Sequence, residues 1–332
     1  MTNPASRNFP RILIIATWFG PLPDYFPQWM LSCRFNPSID WLVATDADIS
    51  DMEPPPNVHF VQISMDDFAA RISEEVGFQV AMERPYKACD LRPLYGCLTD
   101  LAPGTWDFWG HCDLDMLFGD ICAFLTPELL TTNDRVFGVG HFSLYRNDDE
   151  TNNFFRKPLD GLDYRQILTD PRPRGFDEHI GVNRIWKHHN GRFHEDESVL
   201  ADIDPNIYRI RRTSNYIWVK NMRHQVFGFN RGRVMRYWLA SGQVKSEDFM
   251  YVHFQKRRFT LPPPPTGCER FWLTPDGFIP MEEDTNLTDN SVTPSMIRQL
   301  SPVPLLPPRK EISHRLRHTI RLLRHHARGL MH

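Results

Sequence analysis

The six cysteines, at positions 33, 89, 97, 112, 122 and 268, include no Cys-x-x-Cys pair, which removes zinc ribbons and thioredoxin-like redox pairs from consideration. No apolar run comes near the roughly 18 residues that a membrane span needs. The first residues lack a basic segment followed by a long apolar run and a small-residue cleavage site. With free thiols, that pattern makes the cytoplasm the expected location. Charge of one sign is also scarce. With 38 Lys and Arg against 41 Asp and Glu, the formal net charge is -3, so no global positive field draws phosphates and no nucleic-acid partner is expected. There is no internal repeat, and residues 17–23, after the first apolar run, carry no Gly-rich phosphate loop with a lysine.

What the chain does have is a globular composition. Hydrophobic residues make up 41% and charged residues 24% of 332, enough for one large domain or two small ones. Residues 11–17 (RILIIAT) form a continuous apolar run, the pattern of a buried parallel strand. A second strand is predicted at 41–45, a third at 58–63, and helices at 26–34 and 65–76. Apolar residues at 91, 94, 98 and 101 predict a helix over 87–101 that starts on an Asp90 cap. Further helices are predicted at 120–130 and 176–188. Strands are predicted at 106–112, 135–139, 207–211, 224–227, 234–239 and 249–254. Alternating strands and helices indicate an α/β layered fold. The prolines of 262–265 predict that this domain, residues 10–260, closes nearby, with 261–308 a proline-rich linker or extension.

The informative unit is the aromatic strand 106–112 (WDFWGHC), which ends in Asp113-Leu114-Asp115. Residues two apart on a strand point to one side, so both carboxylates can face one cation. Hard cations such as Mn2+ and Mg2+ prefer such oxygen ligands. A bare Asp-x-Asp is more often a solvated turn or a helix cap, and it is the surroundings that favour a site. Lys87, Asp90 and Arg92 lie just upstream, and their cations complement anionic oxygens. Taken singly, they are surface charges on a helix.

The stretch 86–96 (YKACDLRPLYG), then 107–115 (DFWGHCDLD) and Phe118-Gly119-Asp120, resembles a bacterial family of GT-A-type glycosyltransferase-like proteins of surface-polysaccharide synthesis. The likeness continues through 140–147 (GHFSLYRN), 176–179 (FDEH) and 251–257 (YVHFQKR), so it covers roughly residues 10–258. It implies a GT-A-like Rossmann-type mixed sheet flanked by helices. It also implies transfer of a sugar from a nucleoside-diphosphate-sugar donor to a hydroxyl of a glycan or lipid-linked glycan acceptor. By that resemblance, Asp113 and Asp115 hold Mn2+ or Mg2+, and His253 completes the metal or phosphate site; His111 and His141 are weaker candidates. Asp177 or Glu178 is the base, with a charged first helical turn as the alternative reading. Trp18, Phe19 and Asp46 follow the first two strands, where such folds hold the nucleoside, and Lys87, Asp90, Arg92 and Asp113 would contact the nucleotide-sugar. A metal-dependent nucleotidyltransferase and a non-catalytic carbohydrate-binding protein are the rival readings.

The end of the chain is basic. Ile312, Leu316, Ile320, Leu323, Ala327 and Leu330 follow a helical apolar stripe, with Arg and Lys around it. A C-terminal amphipathic helix over 309–332 is therefore expected. Its partner is an anionic membrane surface, which would make the protein peripheral on the inner membrane face; docking on the protein's own body is the alternative.

Overall fold

The computed structural model describes residues 9–214, 217–282, 291–304 and Glu311. The chain divides into two compact units. One comprises the described part of Met1–Leu114 with Asp120–Ser198, and the other Asp115–Gly119 with the described part of Val199–His332.

The first unit is built on a seven-stranded mixed sheet. Its order is Val58–Gln62, Ile39–Thr45, Ile12–Trp18, Phe108–Cys112, Phe142–Arg146, Arg135–Val139, Phe193–His194. The first four strands run parallel, as their continuous apolar sequences require once helices cover both faces. Ile12–Ala16 and Trp41–Ala44 are fully shielded from solvent. Helix Met65–Val76 starts on Ser64, whose hydroxyl accepts from the Asp67 N–H at 3.0 Å. It ends at Gly77 in the left-handed conformation, so both signals of a capped helix are met. Its apolar stripe, Phe68, Ile72 and Val76, joins a core with Leu13, Leu42, Leu91 and Trp109. This unit is thus a mixed α/β layer, as expected.

The segment expected as an α-helix over 87–101 is instead a run of 3-10 turns, Pro85–Leu101. Pro85 and Pro93 each remove a backbone donor. Gly96 lies where a Cβ would fall 2.9 Å from the Trp109 indole nitrogen, so the segment is pressed onto the sheet. Residues three apart eclipse in a 3-10 turn, which aligns Leu91 with Leu94 in the core. Asp90 does not cap it; Arg84 stands at the N-terminal cap position. Two other expected helices shrink: 120–130 becomes the turn Ile121–Ala123 and helix Pro127–Thr132, and 176–188 begins only at Val182.

The second unit contains two five-stranded sheets. One is ordered Ile217–Trp218, Arg212–Ser214, Leu200–Ile203, Tyr251–His253, Met116–Phe118. The other is antiparallel throughout, ordered Gln243–Phe249, Arg233–Ala240, Gln225–Asn230, Arg270–Thr274, Gly277–Pro280. This corrects one expectation, that the folded part closes at 260. Of the stretch expected as a linker or extension, the described residues 261–282 and 291–304 belong to the second unit. Strands Arg270–Thr274 and Gly277–Pro280 complete a sheet, and helix Pro294–Leu300 places Ile297 in a core with Val226, Tyr237 and Trp272. The prolines stop the chain only locally. The strand expected at 207–211 is turn, and pairing begins at Arg212.

Of the expected C-terminal helix, only Glu311 is described. It is buried, and its carboxylate accepts from the Tyr208 N–H at 3.1 Å. The rest of 309–332, and with it the membrane-surface expectation, lies outside the described residues. Among the described residues no helix is long and apolar enough to cross a membrane.

Gly110 tests the packing of the motif strand. A Cβ there would lie 2.5 Å from the Ser143 carbonyl oxygen and 2.6 Å from Leu144 Cδ2. Gly110→Ala should therefore destabilise the protein by about 1–3 kcal/mol through overpacking. A melting temperature equal to that of the parent in thermal unfolding would contradict this register.

Candidate functional site

In the first unit the functional side chains converge on Arg92. Pro85–Leu101 carries it, strand Phe108–Cys112 delivers Asp113 just past its end, and the turn before helix Val182–His188 supplies Asp177. The guanidinium donates to the Asp113 carboxylate and to the Gly140 carbonyl. It also donates to Asp177 Oδ2 at 2.9 Å. The side chains are 15% exposed for Arg92, 26% for Asp113 and 2% for Asp177, so Asp113 is the carboxylate that solvent reaches. Asp113 is further fixed through its backbone, with its N–H donating to the His141 carbonyl and its carbonyl accepting from the Trp29 indole.

Asp177 is electrostatically unusual. Burial pushes its carboxyl up to about 7 against the pull of Arg92, and the nearby charges of Glu178 and Asp113 add to the rise. Its Oδ1 has no hydrogen-bond partner among the described residues, so one lone-pair edge of a buried carboxylate is left open. Gly140 makes room for it: a Cβ there would sit 3.1 Å from Asp177 Oδ2 and 3.0 Å from Glu178 Cγ. The backbone turn is closed by Val182 N–H donating to the Phe176 carbonyl at 2.7 Å.

Behind this cluster lies a second, wholly buried pair. Lys87 Nζ donates to Asp90 Oδ2 at 2.7 Å, to the Ile167 carbonyl at 2.7 Å and to the Arg172 carbonyl at 3.2 Å. Asp90 in turn accepts from the N–H groups of Arg174 and Phe176, both at 2.8 Å. An ammonium has three donors, and all three are used within the protein. The expected ligand contact by Lys87 and Asp90 is therefore corrected: both are 0% exposed and tie Pro85–Leu101 to the loop that carries Asp177.

The residues expected to hold the nucleoside divide. Phe19 is buried, edge-on to Phe68 at 5.5 Å, and offers no face for stacking, a further correction. Trp18 is half-buried, and its indole donates to the Pro21 carbonyl at 2.8 Å. Asp46 Oδ1 accepts from the Gly20 N–H at 2.6 Å, which pins the loop after the first strand. His111 is fully buried; burial first, then Arg92, Arg135 and His141, hold its pKa well below the usual imidazole value, so it is neutral.

The second unit contains the other acid of the motif. Asp115 Oδ1 lies 3.2 Å from His253 Nε2, and Asp202 Oδ1 lies 2.8 Å from Nδ1 of the same ring. Strands Leu200–Ile203 and Tyr251–His253 run parallel with His253 opposite Asp202, so the sheet register makes this contact. Gln255 Nε2 donates to Asp202 at 2.6 Å, and the Lys256 N–H donates to Asp115 Oδ2 at 2.5 Å. Both donors come from residues with positive φ, 43° and 49°, a backbone conformation that ordinary residues seldom adopt. Burial alone would lower the His253 pKa, but Asp115 and Asp202 raise it to about 10. For Asp115 burial acts upward, and His253 with the Lys256 N–H brings it down to about 2.

Asp202 and Gln255 were not found from sequence. The available signal was an acid on an otherwise apolar strand (LADI), which alternation alone does not separate from a surface aspartate. The donor set fits a divalent cation that takes the place of the proton on His253 Nε2, since a histidine ligand must be neutral. An imidazole whose far nitrogen is held by a carboxylate is the arrangement that orients histidine ligands, and Asp115 supplies a hard oxygen.

A family model described as a family of unknown function (DUF6625) matches residues 14–282. No curated protein matches the chain. Solved structures similar to it include the galactosyltransferase LgtC in complex with donor and acceptor sugar analogs, at 13% identity over 57% of this chain and 75% of that one, with a TM-score of 0.32. Mouse xyloside xylosyltransferase 1, apo form, is 10% identical over 58% of this chain and 87% of that one, with a TM-score of 0.31.

The Asp177 environment predicts a specific pH dependence. Its folded pKa, about 7, is above the value of about 3.9 for an unfolded aspartate. Stability is therefore fully present below about pH 4 and falls as pH rises towards 7. Asp177→Asn mimics the protonated acid. The variant should match the parent near pH 4 and melt at a higher temperature near pH 8. A melting-temperature difference that stays constant across this range would refute the burial-raised Asp177 carboxyl.

Proposed function

The chain belongs to this family of unknown function, DUF6625, and we propose that it is a metal-dependent glycosyltransferase acting on a nucleoside-diphosphate-sugar donor. The observation that carries the reading is the Arg92 cluster. Three residues far apart in sequence, singled out by their chemistry, meet in the first unit around one guanidinium: Arg92, the motif acid Asp113 and the base candidate Asp177.

The roles follow from the charges. Asp177, with a pKa near 7 and an open oxygen, is poised to take a proton from an acceptor hydroxyl at neutral pH. Between the two acids left open by the sequence, this favours Asp177 over Glu178. The acceptor oxygen then bonds to the anomeric carbon of the donor, the bond from that carbon to the diphosphate oxygen breaks, and the nucleoside diphosphate leaves with the electron pair. Arg92, with Asp177 and Asp113 as its counter-charges, fixes the base and keeps it from drifting into solvent. Asp115 and His253, aligned by Asp202 within the second unit, would hold the cation; the motif resemblance adds Asp113, two positions earlier in the chain. Such a cation supplies charge neutralisation on the departing diphosphate. Surface-polysaccharide synthesis, with a glycan or lipid-linked glycan as acceptor, remains the setting that the motif resemblance supports.

Two variants separate binding from chemistry. Asp115→Asn should lose Mn2+-dependent binding of the nucleotide in calorimetric titration. Asp177→Asn should bind nucleotide as the parent does, yet transfer sugar at least about a hundredfold more slowly. In the parent the rate should rise with pH through about 7, as the base ionises. Near-normal transfer by Asp177→Asn removes it as the base, and unchanged Mn2+-dependent affinity in Asp115→Asn removes the metal site.

A further inference from the structure

The turn after strand Tyr251–His253 is made of residues that local preference would not place there. It closes where the Arg257 N–H donates to the Phe254 carbonyl at 3.2 Å, and its two central residues, Gln255 and Lys256, have positive φ. That is the pattern of a type I′ turn, whose central positions favour asparagine and glycine because a Cβ is crowded there. Two ordinary turns of this kind stand in the same unit. Arg231-Gly232 joins Gln225–Asn230 to Arg233–Ala240, and Ser241-Gly242 joins Arg233–Ala240 to Gln243–Phe249, each with glycine second. Among the described residues, Gln255 and Lys256 are the only consecutive non-glycine pair with positive φ. No hairpin calls for it, since the antiparallel partner of Tyr251–His253 is Met116–Phe118, and the next strand, Arg270–Thr274, belongs to the other sheet. Strain of this sort persists only where the surrounding contacts hold it.

The contacts that hold it run to the two acids beside His253. Gln255 Nε2 donates to Asp202 Oδ1 at 2.6 Å, and that same oxygen lies 2.8 Å from His253 Nδ1. The Lys256 N–H donates to Asp115 Oδ2, and the Phe254 N–H donates to the Asp115 carbonyl at 3.0 Å. Asp115 Oδ1 faces His253 Nε2 at 3.2 Å. One turn therefore grips both the carboxylate that orients the imidazole and the carboxylate that would share a cation with it. We propose that Gln255 is a positioning residue for the cation: through Asp202 it fixes the His253 ring so that Nε2 and Asp115 Oδ1 converge on one point. This inference rests on the metal site proposed above.

The physical argument is one of rotation. A carboxylate turns about its side-chain bonds, and an imidazole hydrogen-bonded to it can turn with it. A second donor that reaches the same oxygen from another direction opposes that motion, and the Gln255 amide is such a donor. Its hydrogen bond ends on a carboxylate, so it is charge-assisted and stronger than a neutral one. Side-chain direction follows the backbone, so the left-handed conformation at 255 is what aims the amide at Asp202. The next residue, also left-handed, turns its N–H to Asp115. Partners behind a metal ligand fix its orientation, and their loss typically weakens metal binding about tenfold to a hundredfold.

The test is calorimetric titration of the full-length protein with Mn2+ alone, beside thermal unfolding without metal. Gln255→Gly removes the amide and suits the left-handed position. It should melt no lower than the parent, yet bind Mn2+ at least about tenfold more weakly. Stability kept while affinity falls is a combination that a purely structural residue does not give. In an Asp202→Ala background the same substitution should cost no further affinity, because Gln255 acts through Asp202. A parent that does not bind Mn2+ removes the metal site and this inference with it. A parent that binds Mn2+, with equal affinity in Gln255→Gly, overturns the positioning role alone. So does a loss of the same size that persists in the Asp202→Ala background.

Discussion

A guanidinium held between two carboxylates in a poorly solvated place is the interaction on which the first unit's site depends. Arg92 cannot shed its charge, because a guanidinium stays protonated at any ordinary pH. Asp113 and Asp177 therefore acquire fixed positions around it. Removing Arg92 is the costly change, because it would leave two carboxylates without their shared counter-charge, whereas loss of one carboxylate leaves the guanidinium paired with the other. The fold accordingly braces it from behind. Lys87 and Asp90 use up their hydrogen-bonding capacity on each other and on backbone groups of the 167–176 stretch, which fixes the loop bearing Asp177 relative to the segment bearing Arg92. Rigidity of this kind is what a base needs if it is to stay within reach of a proton.

The same residues explain why the two members of the upstream charge group have different fates. Lys87 and Arg92 lie five residues apart in one run of 3-10 turns, and both are cations in an apolar context. Lys87 has a compact ammonium that three acceptors satisfy, and it is buried as a structural pin. Arg92 has a wide planar fork, and it spans two carboxylates and a carbonyl with one of those carboxylates open to solvent. Sequence shows the charge of both. It does not show which acceptors surround each, because all but Asp90 and Asp113 come from residues about 50 to 85 positions away.

Much of the architecture was legible for the same physical reason that some of the site was not. Apolar runs such as 11–17 and 41–45 report burial directly. Asp113 and Asp115 were legible because a strand of aromatic residues runs straight into them. The elements misread were those in which local signals conflict. The prolines at 85 and 93 override the helical apolar spacing of Pro85–Leu101, whereas sheet pairing at Arg270–Thr274 continues the fold past the prolines of 262–265. Asp202 was invisible because its partner, His253, is supplied by a parallel strand roughly fifty residues later, and parallel register leaves no signature in either strand alone. Phe19 and Asp90 were misassigned because an apolar ring and a carboxylate look the same in sequence whether they face a ligand or a neighbour.

The measurement closest to the central claim is release of nucleoside diphosphate from a panel of nucleotide-sugars incubated with the full-length protein, with Mn2+ and with chelator. The account predicts release from at least one nucleotide-sugar, abolished by the chelator and restored by added Mn2+. Failure of every nucleotide-sugar to bind or react in the presence of Mn2+, or turnover indifferent to the chelator, would contradict it.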